Sequence, residues 1–226
     1  MTKELLQKQL SFHGLSLRGW FSPQPDEVLP AVRGKQPTTV VLVGNTGGSA
    51  WQPFSSSPEA MGKHHPFDAW TRRILEQVAT DFSCAVCFPF TGPPFLPFPT
   101  WARRAEGVYD SPLGILVHPR FGLWHAYRGA FLLAEAWPPP NSRPDHGHPC
   151  AGCQGRPCLR SCPVGAFTGS SYRVASCQEY LHSVMGRACL EGGCLARHAC
   201  PLARDAVYPL AQIRFHMQAF LSCKIA

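Results

Sequence analysis

Eight of the chain's eleven cysteines fall between Cys150 and Pro201, in two sets that each close on Cys-Pro. The first set is Cys150-Ala-Gly-Cys153, Cys158 and Cys162-Pro163. The second is Cys177, Cys189, Cys194 and Cys200-Pro201. Soft thiolates select iron–sulfur clusters or zinc over hard cations. Two cubane clusters need eight thiolates, and in the bacterial C-x2-C-x2-C-x3-C-P arrangement the fourth cysteine of a run ligates the other cluster. By that crossover, Cys150, Cys153, Cys158 and Cys200 hold one [4Fe–4S] cluster, and Cys162, Cys177, Cys189 and Cys194 hold the other. The chemistry expected is transfer of single electrons. The gap from Cys153 to Cys158 is two residues longer than the simplest run, and Cys189-x4-Cys194-x5-Cys200 is looser still. Four-cysteine zinc sites are the alternative, built on paired knuckles. Here the knuckles are unlike each other, and both Cys-Pro endings point away from zinc. Disulfides belong to oxidising compartments. The start, Met1-Thr-Lys-Glu-Leu-Leu-Gln-Lys, has no apolar signal core, so a cytoplasmic location is expected.

The elements that position these residues follow from periodicity. Thr38 to Val43 is a β-branched run that predicts a buried strand. It leads into Gly44-Asn45-Thr46-Gly47-Gly48-Ser49, a loop without the Gly-Lys-Ser/Thr closure of a P-loop. Phe67, Trp70, Ile74 and Val78 make one helical stripe, and Ser83 to Cys87 reads as a short strand. Phe88 to Pro99 is too rich in proline for a helix or a central strand and reads as a stiff aromatic loop. Phe90, Phe95, Phe98 and Trp101 are candidates to cap a ligand cleft, or equally to be packing residues. Leu113 to His118 and Tyr127 to Ala134 predict strands joined through Pro119-Arg120-Phe121-Gly122. Trp137 to Pro149 reads as a linker, and Leu210, Ile213, Met217 and Phe220 mark a C-terminal amphipathic helix.

The segment His118-Pro119-Arg120-Phe121-Gly122-Leu123-Trp124, with Tyr127-Arg128-Gly129 after it, is the other candidate site. It offers cationic donors, flat apolar walls and tight turns, as a ligand pocket does. A hairpin whose Trp124 and Tyr127 only pack is the plainer alternative. Cys84-Ala-Val-Cys87 lies in an apolar strand-like run and reads as buried structural thiols, as does Cys223. His64, His65, His146 and His148 read as solvated loop residues. Net charge is +7, from 21 basic against 14 acidic residues. The basic residues are scattered and no nucleic-acid motif stands out. No apolar run is long enough to span a membrane.

The His118–Arg128 segment resembles the CblC-type cobalamin-processing family, which carries a similar HPRFG-G-W…IRG stretch. The likeness reaches back through Gly114-Ile-Leu-Val to Gly19-Trp20-Phe21 and covers much of residues 15–135. It implies a nitroreductase-like fold and a corrinoid ligand contacted by His118, Pro119, Arg120, Phe121, Gly122 and Trp124. Arg128 takes the place of that family's glutathione-linked arginine. The second half resembles epoxyqueuosine reductase, in which a CblC-like domain precedes a two-cluster domain. Cys177-Gln-Glu-Tyr180-Leu181 is similar to its Cys-x-x-Tyr-Leu element. No counterpart of that enzyme's catalytic acid is assigned, and the C-terminal repeat region is not matched.

The fold class expected is therefore α+β: a nitroreductase-like (CblC-type) α/β core over residues 1–140, then a small ferredoxin-like domain over 141–226 with two 4Fe-4S clusters and a C-terminal helix. The function expected is an iron–sulfur oxidoreductase that binds cobalamin and reduces its cobalt or removes its upper ligand. A redox donor protein supplies the electrons. The alternatives are a corrinoid-free, ferredoxin-like electron carrier and an epoxyqueuosine-reductase-like enzyme acting on tRNA. Nucleic acid is otherwise not an expected partner, and neither is a membrane.

Overall fold

The computed structural model describes residues 2–138 and 147–223. In chain order its elements are α1 (Lys3–Ser11), β1 (Ser16–Phe21), β2 (Thr39–Thr46), α2 (Trp51–Ser55), α3 (Pro66–Phe82), β3 (Ala85–Cys87), α4 (Phe98–Ala105), β4 (Tyr109–Asp110), β5 (Leu116–Val117) and β6 (His125–Leu133). They continue with α5 (Pro157–Arg160), α6 (Val174–His182), α7 (Arg187–Gly192), α8 (Leu195–His198) and α9 (Leu210–Ser222). The fold is α+β. Its packing divides the chain into two compact units, and the division does not fall at one point. Residues 2–107 and 125–138 belong to the first unit, residues 108–124 and 147–223 to the second.

In the first unit, β1, β2, β6 and β3 lie side by side in that order, every pair antiparallel. The β-branched run predicted as a strand is β2, a central strand whose Val40, Leu42 and Val43 have no exposed surface. Central strands bury both faces, which explains a continuous apolar run in place of alternation. The helical stripe is also observed. Phe67, Trp70, Ile74 and Val78 are buried on α3, with Leu75 filling the same face. Gly129 on β6 lies where a Cβ would meet Leu75 Cδ1 at 2.6 Å, so the helix packs directly on the strand backbone.

The aromatic stretch is irregular as far as Pro97, but Phe98 and Pro99 open α4. Proline is tolerated in a first helical turn, where its missing N–H costs nothing. Phe98 and Trp101 are 4% and 1% exposed and pack at 5.1 Å, with Phe21 6.1 Å from Trp101. They are core residues of the first unit. Phe90 instead stacks on Phe88, and Phe95 is exposed.

In the second unit the predicted strand at Leu113–His118 shrinks to β5, paired antiparallel with β4. Leu113, Val117, Leu123 and Ala196 form its buried centre. Cys150, Cys158, Cys162, Cys194 and Cys200 pack around them. The C-terminal amphipathic helix is α9. Its Ile213 is buried with Trp124 and Tyr208, and Met217 packs against them. Among the described residues, no helix is long and apolar enough to cross a membrane.

Candidate functional site

All eight candidate ligands lie in the second unit, and short elements space them. Cys150 and Cys153 occupy turns, Cys158 the first turn of α5, and Cys162 the residue pair after it. Cys177 is on α6, Cys189 on α7, Cys194 at the N-cap of α8, and Cys200 just past its end. His148 caps the first loop: the Cys150 N–H donates to its Nδ1 at 3.0 Å, and its Nε2 lies 3.0 Å from the Asp110 carbonyl. With Nδ1 accepting, Nε2 carries the proton and donates. Both ring nitrogens are thus engaged in shaping the loop. Asp145 and His146 lie outside the described residues.

The electrostatic neighbourhood sorts the thiols. Burial, then Cys200, Cys153 and Cys158, push the Cys150 thiol up. Burial, then Cys200 and Cys153, do the same at Cys158, and burial with Cys153 raises Cys200. Separately, burial followed by Cys162 and Cys189 raises Cys177, and burial followed by Cys162 raises Cys189. Burial, then Cys177 and Cys162, raises Cys194. Among the cysteines, Cys150, Cys158 and Cys200 thus feel only members of the set Cys150, Cys153, Cys158 and Cys200, while Cys177, Cys189 and Cys194 feel only members of the set Cys162, Cys177, Cys189 and Cys194. Backbone amides face several of these sulfurs, including Ala166 N–H on Cys162 Sγ at 3.3 Å. Four mutually repelling, half-buried thiolates make a site that iron cations neutralise. Among the described residues, no three of His, Cys, Asp and Glu are placed to hold a single metal ion. A cubane, with an iron at each ligand, spreads its thiolates further apart than one ion does. The donor set fits clusters.

Cys84 and Cys87 stand apart from both quartets, in the first unit. Burial pushes their thiols to about 11 and about 12, as for packed, unreactive cysteines. Cys223 is exposed.

The residues expected to contact a corrinoid are divided between the units. His118, Pro119, Arg120, Phe121, Gly122 and Trp124 are in the second, Arg128 in the first. Trp124 is 2% exposed and lies beneath Arg197, whose guanidinium carbon is 4.3 Å from the ring centre. Gly122 is covered by Leu202. His118 Nδ1 accepts the N–H groups of Arg120 and Phe121. Arg120 is exposed. Arg128 donates from Nε to Asn45 Oδ1 at 2.9 Å and lies over the Phe67 ring.

Sequence reading missed a polar network in the first unit. Arg18, 1% exposed, donates through Nε and Nη2 to both oxygens of Glu106, and through Nη1 to the Asn45 carbonyl. The Tyr127 hydroxyl donates to the same carboxylate at 2.7 Å. Arg18 and Glu106 are 88 positions apart, so no local spacing signals them.

No family model matches the chain, and no curated protein matches it. Solved structures do. Epoxyqueuosine reductase from Streptococcus thermophilus superposes at TM-score 0.54 with 14% identity, over 92% of this chain and 67% of that one. The enzyme from Bacillus subtilis gives 0.50 and 15%, over 92% and 66%. An epoxyqueuosine reductase with an epoxyqueuosine-modified tRNA-Tyr stem loop gives 0.54 and 16%, over 92% and 65%. The chain thus spans about two thirds of the length of these neighbours and shares their fold.

Proposed function

We propose that this protein is a two-cluster iron–sulfur oxidoreductase of the epoxyqueuosine-reductase type. Cys150, Cys153, Cys158 and Cys200 hold one [4Fe–4S] cluster, and Cys162, Cys177, Cys189 and Cys194 hold the other. What supports this reading is that the thiols of Cys150, Cys158 and Cys200 are raised by burial and then by neighbours from the first of these sets, and those of Cys177, Cys189 and Cys194 by burial and then by neighbours from the second. The crossover expected from Cys-Pro runs is the same partition. When bound, such clusters accept and pass single electrons. The chain's own residues hold the thiolates at fixed spacing, and Leu113, Val117, Leu123 and Ala196 keep an apolar centre beside them. Backbone amides offset part of the thiolate charge.

The substrate in this reading is a modified base in a tRNA loop, with a redox donor protein supplying electrons. The shared fold, the tRNA stem loop bound by one neighbour and the net charge of +7 support it. A corrinoid as the group that receives the electrons is the second reading. Its support is the His118–Trp124 segment, whose Arg120 stands exposed.

The test is anaerobic reconstitution, iron and sulfide counting, then incubation with reductant and an epoxyqueuosine-bearing tRNA stem loop. About eight irons per chain and conversion of epoxyqueuosine to queuosine are expected. Full iron without conversion, with or without added hydroxocobalamin, refutes the tRNA reading. An unchanged hydroxocobalamin spectrum removes the corrinoid.

A further inference from the structure

The His118–Trp124 segment is held by hydrogen bonds from its own backbone and from its histidine ring. His118 and Gly122 exchange both backbone hydrogen bonds at 2.8 Å, which closes the turn. The His118 ring caps the two N–H groups inside it and packs 4.6 Å from Phe121. The turn is also fastened to the stretch that carries Cys194 and Cys200. Gly122 has φ +54°, and a Cβ there would stand 2.8 Å from the Leu202 carbonyl oxygen. Leu202 follows Cys200-Pro201 directly. Arg197 Nη2, on α8, donates to the Leu123 carbonyl. Leu123 is 3% exposed and packs with Ala196 beside the cysteines.

We infer that residues 118–124 are a brace that positions Cys200, the ligand that reaches back across the sequence to the Cys150–Cys158 loop, and that Gly122 is the positioning residue on which the brace closes. This rests on the two-quartet reading. The physical argument is short. Cys200 is separated from the rest of its quartet by the whole of the other one, so its local chain does not place it. A left-handed glycine allows a backbone approach that no Cβ permits, and the Leu202 carbonyl uses it. The brace also accounts for the type of residue at each position: His118 as a cap, Gly122 for close approach, Leu123 and Trp124 as anchors.

The experiment places Gly122→Ala in the full chain, and in chains that also carry Cys162→Ser or Cys200→Ser, all loaded with iron anaerobically. Iron release to a chelator and the spectrum of the reduced cluster are recorded. Gly114→Ala is the control: Gly114 has φ +74° in the same unit, with nothing within 4 Å of an added Cβ. It introduces comparable backbone strain without the Leu202 collision. With Gly122→Ala, release is expected to quicken roughly tenfold in the Cys162→Ser chain, with an altered spectrum. In the Cys200→Ser chain, Gly122→Ala is expected to change neither. Gly114→Ala is expected to leave the spectrum alone in both.

Equal effects in the two backgrounds mean general destabilisation and overturn the brace, as does no effect in either. If neither single-cysteine variant holds iron, the two-quartet reading falls. The brace, which rests on it, then falls with it, whereas two iron-holding variants with unchanged release on Gly122→Ala overturn the brace alone. Should Gly122→Ala not fold, His118→Ala removes the cap from the same turn and is read in the same way.

Discussion

The crossover makes a prediction that grouping by sequence does not. If neighbours in sequence shared a cluster, Cys162 would belong with Cys150, Cys153 and Cys158. The proposed partition instead groups it with Cys177, Cys189 and Cys194, whose thiols its charge, after burial, helps to raise. Four serine substitutions, at Cys153, Cys162, Cys189 and Cys200, decide between the two. Each should leave about half the iron, one cluster of two. The residual clusters should then fall into two spectral types. Cys153→Ser and Cys200→Ser leave one reduced-state EPR spectrum, Cys162→Ser and Cys189→Ser the other. Stability carries a second magnitude. In the proposed partition, with the cluster of Cys162 to Cys194 in place, the cluster that includes Cys158 and Cys200 closes an effective loop of about ten residues, and on a chain-entropy basis cross-linking a loop of that length stabilises by about 3 kcal/mol. Cys200→Ser should therefore lower the anaerobic melting transition of the second unit by several degrees as well as halving the iron. The assay is colorimetric iron, EPR after dithionite reduction, and anaerobic thermal melting. A Cys162→Ser spectrum matching that of Cys153→Ser would refute the crossover.

Three further outcomes follow from the first unit. Glu106→Gln leaves Arg18 buried without its carboxylate and should cost about 3 kcal/mol in urea unfolding, while the Arg18→Met/Glu106→Leu double variant should cost less than the two single changes together. Asp68 is raised above the ordinary aspartate range by burial, against the pull of Arg128, His65 and Arg72. It therefore favours the folded state at low pH and loses that advantage as pH rises through the raised value. Asp68→Asn should accordingly melt higher than the parent at pH 7, with the gain gone by about pH 3, where the carboxyl is protonated folded or unfolded. Cys84 and Cys87, at about 11 and about 12, have little thiolate at pH 8. Iodoacetamide followed by mass spectrometry should find them unlabelled in the folded, cluster-loaded protein while exposed Cys223 is labelled.

Much of this was legible in sequence, for specific reasons. The eight cysteines are legible as a candidate ligand set because their spacing and their Cys-Pro endings are local features of the sequence. The β2 run and the α3 stripe were legible because burial on both faces, or on one, leaves a local period. The polar network of Arg18, Glu106 and Tyr127 left no such mark, since its partners meet only through folding. The His118–Trp124 segment was noticed for its composition, but composition does not say what a residue touches. Trp124 and Gly122 are covered within their own unit, which no spacing rule anticipates. The proline-rich surroundings of Phe98 point to a loop, whereas Pro99 in a first helical turn is compatible with α4.

In the proposed partition the two quartets are nested: Cys162 to Cys194 lies wholly inside the span from Cys158 to Cys200. During synthesis the inner set is therefore complete first, although the outer set begins first. A cluster held by the inner set ties Cys162 to Cys194 and shortens the free path between Cys158 and Cys200 from roughly 40 residues to about ten. By loop-closure entropy that eases assembly of the outer site by about 1.2 kcal/mol, roughly an eightfold gain. Maturation acquires a direction from this order alone. On the proposed partition the inner cluster would serve as the scaffold on which the outer one closes, and a chain that fails to load the inner site should lose its remaining iron most readily.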